Sequence, residues 1–194
     1  MPKPNKSGLT GYSREERQAK SRTYEQNVRH SENSIRGEKV EHLLLLNDDG
    51  TIRFRASDGK EAEVTPTQEI IDNALDAVLT HNHPGGSCFS AEDIQTAMYM
   101  QVKEMRATTL ENGTFALRRT HQAGVSPTPR YHWFPLLYRE ARDNIHAAIQ
   151  ARIDNGTILF DMKVIKREEN EMSAKWLSEN AQRFGWEFRW EGRK

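Results

Sequence analysis

The sequence has one cysteine, no long apolar segment and no excess of either charge. Because Cys88 is the single cysteine among 194 residues, no disulfide can form within the chain. The longest clear apolar run is the four leucines at positions 43–46, far below the roughly 20 residues of a membrane-spanning helix. The lysines near the N-terminus are not followed by an apolar stretch, which argues against a secretory signal. We therefore expect a cytoplasmic protein that does not enter a membrane.

The balance of charge and apolar content points to a polar segment outside a folded core. Lys and Arg total 28, as do Asp and Glu, so the net charge is zero and a strongly basic nucleic-acid-binding protein is not favoured. Residues 1–36 contain eight Lys or Arg and four Glu, a local charge of +4. This composition predicts a solvated, partly helical arm. It also fits an arm that becomes ordered on an acidic partner or a second subunit.

From residue 40 onward, apolar periodicity and turn residues predict a folded domain with both helices and strands. Residues 41–46 and 51–56 are predicted to form a hairpin, because Asp49-Gly50 is a typical hairpin-turn sequence. The pattern then predicts a helix capped by Thr65 or Thr67, a buried strand at 76–80, a helix from Ser90, and strands at 107–109 and 114–117. Further on we expect a helix at 135–155, a strand at 158–165, a helix at 171–184 and a terminal strand at 186–190.

The candidate metal ligands lie in one segment, residues 80–93. Its sequence is Thr-His-Asn-His-Pro-Gly-Gly-Ser-Cys-Phe-Ser-Ala-Glu-Asp. His81 and His83 are two residues apart where a buried strand ends, so their side chains point to the same face. Imidazoles on one face can share a metal at about 2.0–2.1 Å from each nitrogen. Asp93 lies in the first turn of the following helix, beside the strand end. Two histidines and an aspartate leave a fourth position open for water, as in catalytic metal sites.

Neighbouring residues of this segment have simpler interpretations. Ser90 and Asp93 have the spacing of a helix N-cap and its third residue, and capping does not exclude a role in a site. If Asp93 only caps the helix, Glu92 is the alternative ligand. Cys88 has no supporting group that would make it a nucleophile, and we interpret it as a small loop residue.

The pattern His81-x-His83-Pro84, followed by Ser90-x-x-Asp93, resembles the motif of the JAB/MPN metallopeptidase-like superfamily, also called JAMM. The Thr-His-Asn-His-Pro form is most similar to RadC-like proteins and to short phage-encoded relatives. The resemblance implies Zn²⁺ held by the two histidines and the aspartate, with the serine stabilising the oxyanion of a tetrahedral intermediate.

The resemblance also implies an architecture. It covers residues 38–119 and predicts an α+β, JAB/MPN-like (cytidine-deaminase-like) fold at 37–120, a mixed sheet flanked by helices. The polar arm at 1–36 precedes this domain. A C-terminal segment at 121–194, with helix–strand–helix–strand order, is expected to pack on it.

In the family, a glutamate on an earlier strand is the general base. Glu41 and Glu38 are the two candidates, and we favour Glu41 because it directly precedes the buried leucine run. The chain has six residues between His83 and Ser90, one fewer than the family's usual seven, so the loop must close more tightly.

These features predict a zinc-dependent metallohydrolase that cuts peptide or isopeptide bonds in a protein or peptide substrate, with zinc-activated water and a glutamate base. One alternative is a phage-associated structural or interaction protein with a degenerate JAB fold. Another is a metal-dependent nuclease or DNA-associated factor, which the zero net charge disfavours. A phage-encoded protein would act in the host cytoplasm or the virion.

Overall fold

The structure is a computed structural model that describes residues 23–61 and 63–192. Its strands are β1 Leu43–Leu46, β2 Ile52–Ala56, β3 Val78–Asn82, β4 Glu104–Thr109, β5 Gly113–Arg119 and β6 Trp186–Glu191. Its helices are α1 Tyr24–Asn33, α2 Gln68–Asn73, α3 Ala91–Tyr99, α4 Phe134–Asp154 and α5 Met162–Asn180, with 3₁₀ turns Tyr131–Trp133 and Ala181–Phe184. The protein is therefore α+β, as expected. Among the described residues, no helix combines the length and apolarity that a bilayer crossing requires.

The six strands form one mixed sheet in the order β2-β1-β3-β4-β5-β6. Neighbouring strands are antiparallel except β3 and β4, which are parallel and are connected through α3. The predicted hairpin is β1–β2, and the predicted strand pair is β4–β5. Strand β6 pairs with β5, so the C-terminal segment supplies an edge of the same sheet.

One face of the sheet carries the main apolar core. Alternate strand residues point to this face, as the period of a β-strand requires. They include Leu43, Leu45, Leu79, Met105, Ala107, Phe115 and Leu117. Helices α3, α4 and α5 cover them, with Ile94, Tyr138 and Leu177 among the residues that they bury. At the end of β3, His81 continues the alternation of Leu79, so its side chain points to the face of the sheet that α3 covers.

Helix α1 covers the opposite face. It begins after Thr23, whose side chain forms a capping box with Gln26. A second apolar cluster consists of Val28, Ile35, Leu44, Leu46 and Val78. Residues 23–36 therefore pack on the sheet, whereas we had expected a polar arm over 1–36. The polar composition of this segment concealed two apolar residues seven positions apart, Val28 within α1 and Ile35 just after it. Residues 1–22 lie outside the described part of the chain.

The C-terminal segment differs from the expectation in two elements. The strand predicted at 158–165 is wrong, because α5 already begins at Met162. Asp161 is its N-cap and accepts hydrogen bonds from the backbone amides of Lys163 and Val164. The helix predicted at 171–184 is thus a longer helix that ends in a 3₁₀ turn, and Gly185 stops it in a left-handed conformation with φ of 78°.

Candidate metal centre

Four side chains of ligand type converge beside the end of β3. Each of Glu41, His81, His83 and Asp93 offers one nitrogen or oxygen atom, and these four atoms lie within 4.8 Å of one another. Glu41 and the two histidines are buried, whereas the side chain of Asp93 keeps 17% of its surface exposed. The structure thus brings together the four residues that the sequence and the family resemblance singled out as ligands and base.

Strand β3 delivers the histidines to a common face. The Nε2 atoms of His81 and His83 are 2.8 Å apart. The chain then reverses, because the backbone amide of Gly86 donates to the carbonyl of His83 at 2.9 Å. Gly86 has φ of 78°, a conformation that favours glycine and explains the Gly-Gly sequence here. The 84–89 loop therefore returns the chain toward the strand end that it has just left.

Asp93 both caps a helix and faces the histidines. Ser90 and Asp93 form a capping box, in which the backbone amide of Ser90 donates to Asp93 Oδ2 at 2.6 Å. Asp93 Oδ1 lies 3.2 Å from His81 Nε2, and Oδ2 lies 3.5 Å from His83 Nε2. The start of α3 thereby holds the carboxylate in one orientation against both imidazoles. The alternative ligand Glu92 instead pairs with Arg139 on the surface.

Register explains why Glu41 rather than Glu38 reaches the centre. Leu43 is opposite His81 in the antiparallel pair of β1 and β3, so the residue two positions earlier, Glu41, falls opposite His83 on the same face. Its backbone amide donates to the Lys60 carbonyl at 2.8 Å, although the residue precedes the hydrogen-bonded part of β1. Glu38 is exposed and is not part of the four-residue cluster.

Burial and neighbouring charges shift the pKa values of three residues of the centre. Burial raises the pKa of Glu41, although the nearby histidines act in the opposite direction. Burial alone would also raise the pKa of Asp93, but the charge and hydrogen bonds of His81 and His83 hold it well below its usual value. For His83, burial disfavours the charged ring, yet the hydrogen bond and charge of Asp93 raise its pKa. One carboxylate is thus firmly ionised, whereas the other accepts a proton more readily than an ordinary glutamate.

The donor set fits a zinc ion. Four ligand atoms at about 2.0–2.1 Å from a tetrahedral zinc lie about 3.3 Å from one another. The His81–Asp93 and His83–Asp93 distances of 3.2 and 3.5 Å agree with this value, and the two Nε2 atoms are slightly closer. Glu41 Oε1 is 4.0 Å from His81 Nε2, beyond hydrogen-bond distance. Two imidazoles and one carboxylate could therefore ligate the ion, with Glu41 beside them.

Cys88 has no place in this centre. Its side chain is buried, and burial raises the pKa of its thiol to about 12. A thiol that stays protonated is neither a nucleophile nor a metal ligand at neutral pH. Cys88 is a small packing residue in the loop, as the sequence suggested.

Two buried asparagines were not singled out from the sequence. The side chain of Asn82 accepts from the backbone amide of His42 at 2.7 Å and donates to the carbonyls of Glu38 and Val40. It therefore ties the segment that carries Glu41 to the end of β3. Asn170, on α5, bonds the 84–89 loop. Only the position of Asn82 between two histidines could have indicated its role.

We expect Ser90→Ala to lower the free energy of unfolding by about 1 kcal/mol, because it removes the hydroxyl that caps α3. Urea denaturation of the metal-free protein measures the change. Thr67→Ala, which removes the N-cap of α2, is the matched control for a cap remote from the centre. A Ser90→Ala protein as stable as the wild type would contradict the capping role.

Comparisons of the chain with protein-family models, with curated proteins and with solved structures found no match.

Proposed function

We propose that this protein is a zinc-dependent hydrolase of peptide or isopeptide bonds. The observation that carries the proposal is the placement of buried Glu41 beside a two-histidine, one-aspartate set, at 4.0 Å from His81 Nε2. Three candidate ligands with a separate carboxylate at this distance are the parts that metal-assisted hydrolysis needs. A closed structural zinc site would instead have four direct ligands.

In the proposed site, His81, His83 and Asp93 hold the metal. When bound there, zinc lowers the pKa of a water molecule to about 7 and polarises a carbonyl oxygen. Glu41 takes the proton of the attacking water and passes it to the leaving amine, a transfer that its raised pKa favours. Glu41 is buried, and burial is the cause of this raised pKa.

Ser90 has a proposed role that requires one rearrangement. Its hydroxyl donates to Asp93 Oδ2 at 2.9 Å and accepts from the Asp93 backbone amide. To stabilise an oxyanion, the hydroxyl proton turns from the carboxylate to the substrate oxygen. Asp93 remains held by the backbone amide of Ser90 in both arrangements.

We expect about one zinc ion per chain in tag-free protein and almost none in the His83→Ala variant, because the variant removes a first ligand. Elemental mass spectrometry of purified protein measures this content. His132→Ala is the matched control, since His132 is an exposed histidine outside the cluster. Wild-type protein that neither contains zinc nor takes it up on titration would overturn the proposal.

A protein that retains the fold without hydrolytic activity is the second candidate. The observation that favours it is the engagement of the Ser90 hydroxyl in the capping box. Zinc-loaded protein that cleaves no member of a panel of peptide and isopeptide substrates would support this candidate over the hydrolase.

A further inference from the structure

The C-terminal helix α5 is hydrogen-bonded to the loop between the metal ligands. Asn170 is 1% exposed, and both polar atoms of its side chain bond the loop backbone. Its Oδ1 accepts from the amide of Cys88 at 2.7 Å, and its Nδ2 donates to the carbonyl of Gly86 at 2.8 Å. These two bonds bracket Ser87. A buried amide whose hydrogen bonds both go to one loop fixes the conformation of that loop.

Ser87 in turn bonds a metal-ligand candidate. His83 Nδ1 lies 2.9 Å from the Ser87 carbonyl oxygen. Because a carbonyl oxygen only accepts, Nδ1 donates the proton in this contact, and Nε2 of the neutral ring keeps its lone pair for a metal. The hydroxyl of Ser87 lies farther from Nδ1, at 3.4 Å. By contrast, His81 Nδ1 is buried without a hydrogen-bond partner among the described residues. Of the two rings, His83 is the one whose tautomer the loop determines.

The Ser87 carbonyl and the Cys88 amide belong to the same planar peptide group. Asn170 binds the N–H side of this group, and His83 binds its C=O side. The first bond therefore orients the plane that receives the second, and it polarises the carbonyl so that it accepts more strongly. This connection links α5 to the candidate metal centre over a sequence separation of 82 residues.

We propose that Asn170 is a positioning residue for the metal: it orients the Ser87–Cys88 peptide group, which fixes the tautomer and ring orientation of His83. The inference rests on the proposed function, because it assigns His83 as a ligand. Partners behind a ligand imidazole typically change metal affinity by about 10- to 100-fold when they are removed. Asn170 lies outside residues 38–119, so the motif resemblance does not include it.

Two other side chains restrain the same loop. Lys166, one helical turn before Asn170 on α5, donates to the Gly85 carbonyl at 2.7 Å. The side chain of Asn112 also donates to the Gly86 carbonyl, at 2.9 Å. The chain has only six residues between His83 and Ser90, and these bonds hold that short connection in place. We expect the exposed Lys166 contact to contribute less than the buried Asn170 contacts.

A cobalt titration tests the proposal. Co²⁺ is added to metal-free wild-type, Asn170→Ala, Asn180→Ala and Lys166→Met proteins, and the visible absorption bands report affinity and ligand geometry. We expect Asn170→Ala to bind Co²⁺ at least about 10-fold more weakly, with altered bands. Lys166→Met should show a smaller loss. Asn180→Ala is the control, because the Asn180 side chain bonds the Trp176 carbonyl and the Arg183 guanidinium, both near it in the chain, rather than the 84–89 loop.

Nitrogen-15 NMR of the histidine rings reports the tautomer of His83, which a general loss of stability does not change. At a pH where the ring is neutral, we expect metal-free wild-type His83 to be protonated at Nδ1, and Asn170→Ala to populate the other tautomer. Wild-type His83 protonated at Nε2 would overturn the inference even if Asn170→Ala did not fold.

The outcomes separate the two proposals. Unchanged cobalt affinity and bands in folded Asn170→Ala would overturn the positioning role and leave the metal site intact. A wild-type protein that binds neither Co²⁺ nor Zn²⁺ would overturn the metal site itself, and the positioning role with it.

Discussion

Glu41→Gln is expected to lower the rate of peptide or isopeptide hydrolysis by about 10²- to 10⁴-fold while zinc stays bound. Glutamine has the same shape as glutamate but cannot accept the proton of the attacking water. Metal binding should persist, because the proposed ligands are His81, His83 and Asp93. The measurement is the initial rate on the best substrate of a peptide and isopeptide panel, with the zinc content of each preparation determined alongside.

The same variant has an expected effect on stability. Burial raises the pKa of Glu41, so keeping this carboxylate ionised at neutral pH destabilises the metal-free fold. A raised pKa in the folded state means that the fold favours the protonated carboxyl group. The free energy of unfolding of the wild-type protein therefore falls as the pH rises from the ordinary carboxyl pKa through the raised one, and a neutral glutamine removes this loss. Metal-free Glu41→Gln should therefore unfold at a temperature equal to or above that of the wild type. Proteins commonly lose some stability at an active site, and a buried catalytic carboxylate is expected to have this effect.

Glu38→Gln is the matched control. Glu38 is the exposed glutamate three positions earlier, and it was the other candidate for the base. It should retain wild-type activity. Full activity in Glu41→Gln would remove Glu41 from the mechanism, and loss of activity in Glu38→Gln alone would transfer the role to Glu38.

The parts of the centre that the sequence predicted are those set by local geometry. His81 and His83 share a face because of strand alternation, and Asp93 is held at the start of α3 by its spacing from Ser90. The choice of Glu41 over Glu38 was correct about which glutamate enters the cluster, but its physical basis is the register of β1 against β3. Sequence alone does not fix that register.

Contacts between distant segments could not be predicted. Nothing near Asn170 in the sequence indicates that its amide bonds a loop 82 residues earlier. The strand expected at 158–165 failed because a short apolar run fits either a strand or a buried helix, and the N-cap role of Asp161 decides between them. The packing of α1 on the sheet was not predicted, because it depends on ion pairs as well as on apolar residues.

Those ion pairs lie on the face of the sheet that α1 covers. Arg106, on β4, is 5% exposed and bonds carboxylates from three elements: Glu32 of α1 at 2.6 Å, Glu104 of β4 at 2.5 Å and Glu191 of β6 at 2.8 Å. Burial acts against its charged form, but these carboxylates outweigh burial and raise the pKa of Arg106. A single guanidinium thus joins helix α1 to the inner strand β4 and to the edge strand β6 of the sheet.

We expect Arg106→Leu to lower the free energy of unfolding by about 3–5 kcal/mol, because it leaves the buried carboxylate of Glu32 without its main partner. Urea denaturation of the metal-free protein measures this change. The double variant Arg106→Leu with Glu32→Leu should recover much of the loss, since it removes the unpaired charge as well. Arg139→Leu, which breaks an exposed pair with Glu92, is the control and should change stability by less than about 1 kcal/mol.

The double variant distinguishes two explanations of a large loss. If unpaired charge causes it, adding Glu32→Leu restores stability, and α1 stays on the sheet through Val28 and Ile35. If Arg106 acts through packing of its long side chain, the second substitution restores nothing. A loss below about 1 kcal/mol in Arg106→Leu would contradict both explanations and would show that the apolar cluster alone holds α1 on the sheet.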